Sequence, residues 1–151
     1  MKKRIIALGL LWCLSAVMLQ AARVDTVLVR SAAMNKDVKV VYVLPDKAIG
    51  KQACPVVYLL HGYGGNARSW VQLKPELPQM ADEKGIIFVC PDGKNSWYWD
   101  SPENPAYRYE TFVTSELVKY TDGNYATIPD RKARAISGLS MGGHGALWSA
   151  I

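Results

Sequence analysis

Histidine and cysteine are scarce in this chain, with two and three residues among 151. Cys13, Cys54 and Cys90 show none of the paired spacings of a zinc site or a disulfide scaffold. With only His61 and His144 beside them, no metal and no organic cofactor is expected. Beyond the first four residues, runs of basic residues and repeated aromatic-basic patterns are also missing, which gives nucleic acid no support as a partner. The net charge of +5 is partly local. Lys2, Lys3 and Arg4 are the only charges before Arg23, so residues 22–151 carry 15 Lys and Arg against 13 Asp and Glu, a net +2. Internal repeats, low-complexity tracts and a second domain are absent.

No apolar run reaches the roughly 20 residues of a membrane span. Residues 5–19 are uncharged and mostly apolar, lie between a basic start and the small pair Ala21-Ala22, and read as a secretory signal peptide over 1–21. The alternative is an uncleaved N-terminal anchor. Bulky Trp12 before Cys13 argues against a lipoprotein cleavage site. The expectation is a secreted or periplasmic protein without membrane contact after cleavage.

The remaining residues, 22–151, alternate two patterns. Residues 24–30 and 38–44 are rich in β-branched side chains around a turn-like 34–37, which predicts an antiparallel hairpin. Residues 55–60 and 86–90 are unbroken apolar runs, the pattern of strands covered on both faces. Between them, Pro78 marks a helix start and Gly85 its stop. Tyr109, Phe112, Val113, Leu117 and Tyr120 fall on one face of a second helix. Residues 132–137 form the next strand. Strands alternating with helices predict an α/β architecture with a mostly parallel sheet. Parallel strands would place Cys54 and Cys90 at opposite sheet ends, too far apart to bond, as buried free thiols.

That last strand ends in Gly138-Leu139-Ser140-Met141-Gly142, and a small-residue helix follows. This is a G-x-S-x-G nucleophile elbow in its required context of strand, tight turn and helix. Ser140 is the expected nucleophile. A Cβ at 138 or 142 would collide with the neighbouring strand or helix, and Gly143 and Gly145 are expected to let the helix approach the sheet. The oxyanion formed on attack needs preplaced donors. The backbone N–H of Met141 is one candidate. Tyr63 N–H, in the loop His61-Gly62-Tyr63-Gly64-Gly65, is the other. Residues 91–106 form a long loop at the same sheet edge, carrying Trp97-Tyr98-Trp99. These three aromatics either line a substrate cleft or cap the core beneath the loop.

His61-Gly62-Tyr63-Gly64-Gly65, Pro91-Asp92-Gly93, Trp97-Tyr98, Tyr109-Glu110-Thr111-Phe112 with Glu116-Leu117, and Gly138-Leu-Ser-Met-Gly-Gly143 occur in that order. In these the chain resembles the N-terminal half of the esterase D-like branch of the α/β-hydrolases. That branch includes S-formylglutathione hydrolases, tributyrin-type esterases, feruloyl and acetyl-xylan esterases, and mycolyltransferases. The resemblance implies Ser140 as nucleophile and Tyr63 and Met141 as oxyanion donors. It also implies a carboxylic-ester substrate, with export favouring acetyl or feruloyl esters of carbohydrate. Acyl transfer, or a non-catalytic carbohydrate-binding product using Trp97 and Trp99, are the alternatives.

The family's triad runs Ser, acid, His along the chain, and here the order is not completed. His144 lies down the helix from Ser140, and His61 is expected to hold the oxyanion loop by hydrogen bonds. Asp92 is expected near the sheet edge with no histidine to orient. The final helix runs out without a cap, and the elbow strand is expected to be an open edge. These residues are therefore expected to be the front part of one esterase domain, inactive in isolation.

Overall fold

A computed structural model describes residues 22–151; the leader expected over 1–21 lies outside them. The N-terminal hairpin is present as β1 (Arg23–Ser31) and β2 (Lys36–Leu44), paired from Arg23↔Leu44 to Ser31↔Lys36. Its turn closes through Asn35 at φ 50°, a left-handed conformation that Asn tolerates. The apolar runs form β3 (Val56–Leu60) and β4 (Ile87–Pro91), and the elbow strand is β5 (Arg134–Gly138). The sheet order is β1-β2-β4-β3-β5. β4, β3 and β5 are mutually parallel, and β2 joins β4 antiparallel.

Both faces of the sheet are covered, which explains the unbroken apolar runs. Val40, Tyr42 and Leu44 face one core with Phe112, Leu117 and Met141. Val41 and Val43 face the other with Leu77, Ala81 and Phe88. The second core lies under α3 (Leu77–Lys84), which follows the short helices α1 (Asp46–Ile49) and α2 (Ser69–Leu73). Pro78 sits in the first turn of α3 and Gly85 ends it at φ 64°, as its sequence predicts.

The helix starting at Tyr109 is less regular than its spacing predicts. α4 (Tyr109–Thr111) passes into a π-helical stretch, Phe112–Glu116, before α5 (Leu117–Asn124). The wider π turn shifts the buried face by one position. Thr121 is buried in the last turn and Tyr120 only partly so. Thr121 Oγ bonds the Tyr42 hydroxyl at 2.9 Å and the Leu117 carbonyl at 2.7 Å, so its polar atom is satisfied inside the core.

Cys54 and Cys90 are buried free thiols. The pairing Tyr58↔Val89 sets Cys90 beside Leu59, five residues beyond Cys54, about 16 Å at the usual strand rise. Burial pushes the Cys90 thiol up to about 12. β5 pairs only with β3 among the described residues and leaves its other side open. No helix of the described residues is long and apolar enough to cross a membrane.

Candidate active site

Because β3, β4 and β5 run parallel, the segments leaving them converge on one sheet edge: 61–66, 92–106 and 139–140. The last of these is the turn into α6 (Met141–Ala150). Ser140 occupies it with φ 53° and ψ −115°, a backbone conformation that L-residues rarely adopt. The glycines around it are explained by contact. A Cβ on Gly138 would lie 2.2 Å from the Gly142 backbone, and one on Gly142 would lie 2.2 Å from the Leu60 carbonyl oxygen. That carbonyl ends β3 and also accepts Leu139 N–H and the Trp70 indole N–H. The elbow is thus locked onto the tip of the neighbouring strand.

Loop 61–66 faces this turn. A Cβ on Gly62 would approach the Ser140 Cβ at 3.6 Å, so the two segments are in contact. Among the described residues, the backbone N–H groups of Tyr63 and Met141 have no hydrogen-bond acceptor in the protein. The Met141 N–H belongs to the unpaired first turn of α6, where the helix dipole favours negative charge. Gly64 N–H next door is held by Asn95 Oδ1 at 2.8 Å.

His61 is buried and fixes the loop, as expected. Gly93 N–H donates to its Nε2 at 3.0 Å, so Nε2 carries the lone pair and the proton resides on Nδ1. Nδ1–H then donates to the Gly62 carbonyl at 2.7 Å. Because a peptide's C=O and N–H point in opposite directions, fixing the Gly62 carbonyl also aims the Tyr63 N–H. Both ring nitrogens are engaged, and His61 is not free to act as a base.

Asp92 is not isolated from histidine. Its Oδ1 lies 3.6 Å from His61 Nε2, while Lys94 donates to it from its backbone N–H at 3.0 Å and its Nζ at 2.9 Å. Burial alone would raise this carboxyl. The Lys94 donors outweigh burial and hold it well below the usual range; His61 Nε2, whose lone pair is taken by Gly93 N–H, offers it no proton. A lowered folded pKa means stabilisation that is present above the unfolded value of about 3.9 and lost as pH falls toward the folded one. Asp92→Asn is therefore expected to cost about 1–3 kcal/mol at pH 7. The difference should shrink in denaturation curves recorded progressively below pH 4.

The three loop aromatics divide. Tyr98 does not line a cleft: it is fully buried, and its hydroxyl donates to the His61 carbonyl at 3.3 Å. Its ring fills a slot between β4 and α6. A Cβ on Gly93 would meet the ring at 2.3 Å and one on Gly145 at 2.6 Å. Gly145 therefore makes room for Tyr98 and not for the sheet; Gly143 is the residue near a strand, where an added Cβ would lie 3.3 Å from the Gly138 carbonyl oxygen. Trp97 and Tyr98 both adopt positive φ, 58° and 60°. Burial of the tyrosine holds that strained pair in place. Trp97 and Trp99 stay 47% and 49% exposed. Their rings pack on His144, with centroids 5.6 and 5.5 Å away. The paired glycines at 93 and 145 were the sequence signal for the buried tyrosine, readable only once the two segments are known to be neighbours.

The family model described as "Putative esterase" matches residues 31–151. The acetyl esterase of Caldicellulosiruptor saccharolyticus is 30% identical over 125 residues, 78% of this chain and 46% of that protein. The S-formylglutathione hydrolase structure from Agrobacterium tumefaciens superposes with a TM-score of 0.76 at 29% identity, covering 86% of this chain and 53% of that one. A ferulic acid esterase structure gives 0.71 at 30% identity, covering 83% and 53%. The chain spans about half the length of these relatives. The elbow-bearing half-sheet, the shared fold and a match running from β1 to the end of α6 lead to one conclusion: this chain belongs to the esterase family of α/β-hydrolases.

Proposed function

We propose that this chain carries the nucleophile and oxyanion hole of a secreted or periplasmic serine hydrolase acting on carboxylic esters. The observation that carries the reading is Ser140 itself, at φ 53° ahead of α6, with the open Met141 N–H beside it and the glycine loop against it. Ser140 Oγ attacks the ester carbonyl carbon as its proton passes to a base. The tetrahedral oxyanion accepts hydrogen bonds from Tyr63 and Met141 N–H, each worth roughly 3–4 kcal/mol of barrier. The C–O bond to the alcohol breaks, the alcohol leaves with the proton, and water repeats the sequence on the acyl-enzyme. The base and its orienting acid are not assigned to these residues: His61 is engaged at both nitrogens, and His144 packs against Trp97 and Trp99.

Acyl esters of carbohydrate are the proposed substrates. The half-exposed Trp97 and Trp99 near the elbow helix support the carbohydrate part, and the likeness to an acetyl esterase and a ferulic acid esterase supports an acetyl or feruloyl acyl part. The exported location rests on the N-terminal basic, apolar and small-residue pattern. Exposure of the intact protein to a fluorophosphonate probe, followed by peptide mapping, should place the label on Ser140. Labelling elsewhere, or none in a protein that hydrolyses 4-nitrophenyl acetate, would overturn the assignment.

A further inference from the structure

A cavity of about 340 Å³ lies within the long loop and is lined by Asn95, Ser96, Trp99, Ser101, Asn104 and Tyr107, among others. Its volume falls in the roughly 300–1,000 Å³ range of small-molecule sites. The chemistry of its wall is unusual in one respect: the side-chain acceptors are engaged and the donors are left over. Asn95 Oδ1 accepts Gly64 N–H, and Asn104 Oδ1 accepts Ala106 N–H at 3.0 Å. Ser96 Oγ accepts Tyr98 N–H at 3.0 Å, and Ser101 Oγ accepts Asn104 N–H at 3.0 Å. A backbone N–H can face only an amide oxygen, so both Asn Nδ2 groups are the free ends. Two amide NH₂ groups and two hydroxyl hydrogens therefore have no acceptor among the described residues and are open to solvent or a ligand.

Such a wall suits a ligand rich in oxygen acceptors. An anion is disfavoured, because no Lys or Arg lines the cavity and Asp100 does. The Asp100 carboxylate is itself occupied by Thr111 through both oxygens. Trp99 and Tyr107, 49% and 36% exposed, add aromatic surfaces. The electron-rich face of Trp99 complements the C–H face of a pyranose ring, whereas Tyr107 is covered on one side by the Lys36 ammonium, 4.9 Å from its centroid, and offers its other side.

Two contacts link the wall of the cavity to the segments that carry Ser140 and Tyr63. Asn95 holds Gly64, next to the candidate oxyanion donor Tyr63. Trp99 packs at a tilt on His144, whose backbone N–H bonds the Ser140 carbonyl at 3.0 Å. We infer that this cavity is a subsite for a neutral sugar unit on the ester substrate, an inference that rests on the esterase reading above.

The test uses the intact protein, with xylotriose as the binding probe and acetylated xylotriose and 4-nitrophenyl acetate as substrates. Asn104→Asp keeps the oxygen that holds Ala106 N–H and replaces the donor with an acceptor. Ser101→Ala removes a second donor, together with the acceptor for Asn104 N–H, should the first variant fold poorly. Each is expected to weaken xylotriose binding in calorimetry by about tenfold. Each should raise KM for the acetylated sugar by a similar factor and leave kcat/KM for 4-nitrophenyl acetate unchanged, since that substrate has no sugar. Folded variants with wild-type xylotriose affinity and KM would overturn the subsite, as would wild-type protein that hydrolyses both esters without binding xylotriose. Calorimetry needs no turnover, so a protein that binds xylotriose yet hydrolyses neither ester would overturn the esterase reading and leave the sugar site standing.

Discussion

Ser140→Ala in the intact protein is expected to lower kcat for 4-nitrophenyl acetate by a factor on the order of 10⁶, the loss seen when a serine nucleophile is removed from a catalytic unit. The fold should survive the change. Ser140 makes no side-chain hydrogen bond to cap α6, so the variant's melting temperature should match that of the parent protein. Ser140→Gly should be equally inactive yet more stable, by about 1–3 kcal/mol, because glycine adopts φ 53° without a Cβ penalty. Opposite movements of activity and stability at one position are the mark of strain held for function. Activity retained in the alanine variant, measured with active-site-titrated protein, would remove Ser140 from the mechanism.

Gly142→Ala should have the largest effect on stability. The added methyl would sit 2.2 Å from the Leu60 carbonyl oxygen and 2.7 Å from that of His61. Both are backbone atoms in the packed sheet edge, so neither can rotate away. A cost above about 3 kcal/mol in urea denaturation is expected, at the upper end of overpacking effects. Gly138→Ala, whose methyl meets the Gly142 backbone at 2.2 Å, should behave alike. Gly123→Ala is the control: it lies inside α5 with nothing within 4 Å of the added methyl, and should stabilise by about 0.4–1 kcal/mol. If all three glycines responded equally, the elbow would not be packed as described.

Much of this arrangement was legible beforehand. The unbroken apolar runs in β3 and β4, Pro78 and Gly85 around α3, and the hairpin all follow from local chemistry, which acts over a few residues. The elbow was readable for the same reason: its strand, turn and helix are contiguous, and each glycine's requirement arises within that unit or against the adjacent strand. The π-helical stretch was not legible, because a 3.6-residue spacing has no marker for an inserted wide turn.

The other readings that required correction concerned contacts between distant segments. Trp97, Tyr98 and Trp99 are adjacent and chemically alike, yet Tyr98 is fully buried while its neighbours are half exposed. Successive positive φ values at 97 and 98 aim the tyrosine inward, into a slot made by Gly93 and Gly145. Asp92 and His61 are 31 positions apart and meet only because β3 and β4 run parallel and side by side. The cavity in the long loop likewise depends on which of its side-chain oxygens are engaged by N–H groups of that loop and of Gly64. The sequence by itself determined the strands, the elbow and the identity of Ser140 as the candidate nucleophile, since those depend on local sterics and periodicity. The tertiary structure alone decided which of the surrounding side chains are buried supports and which are open to a ligand, because that depends on neighbours brought together by strand order and not by spacing along the chain.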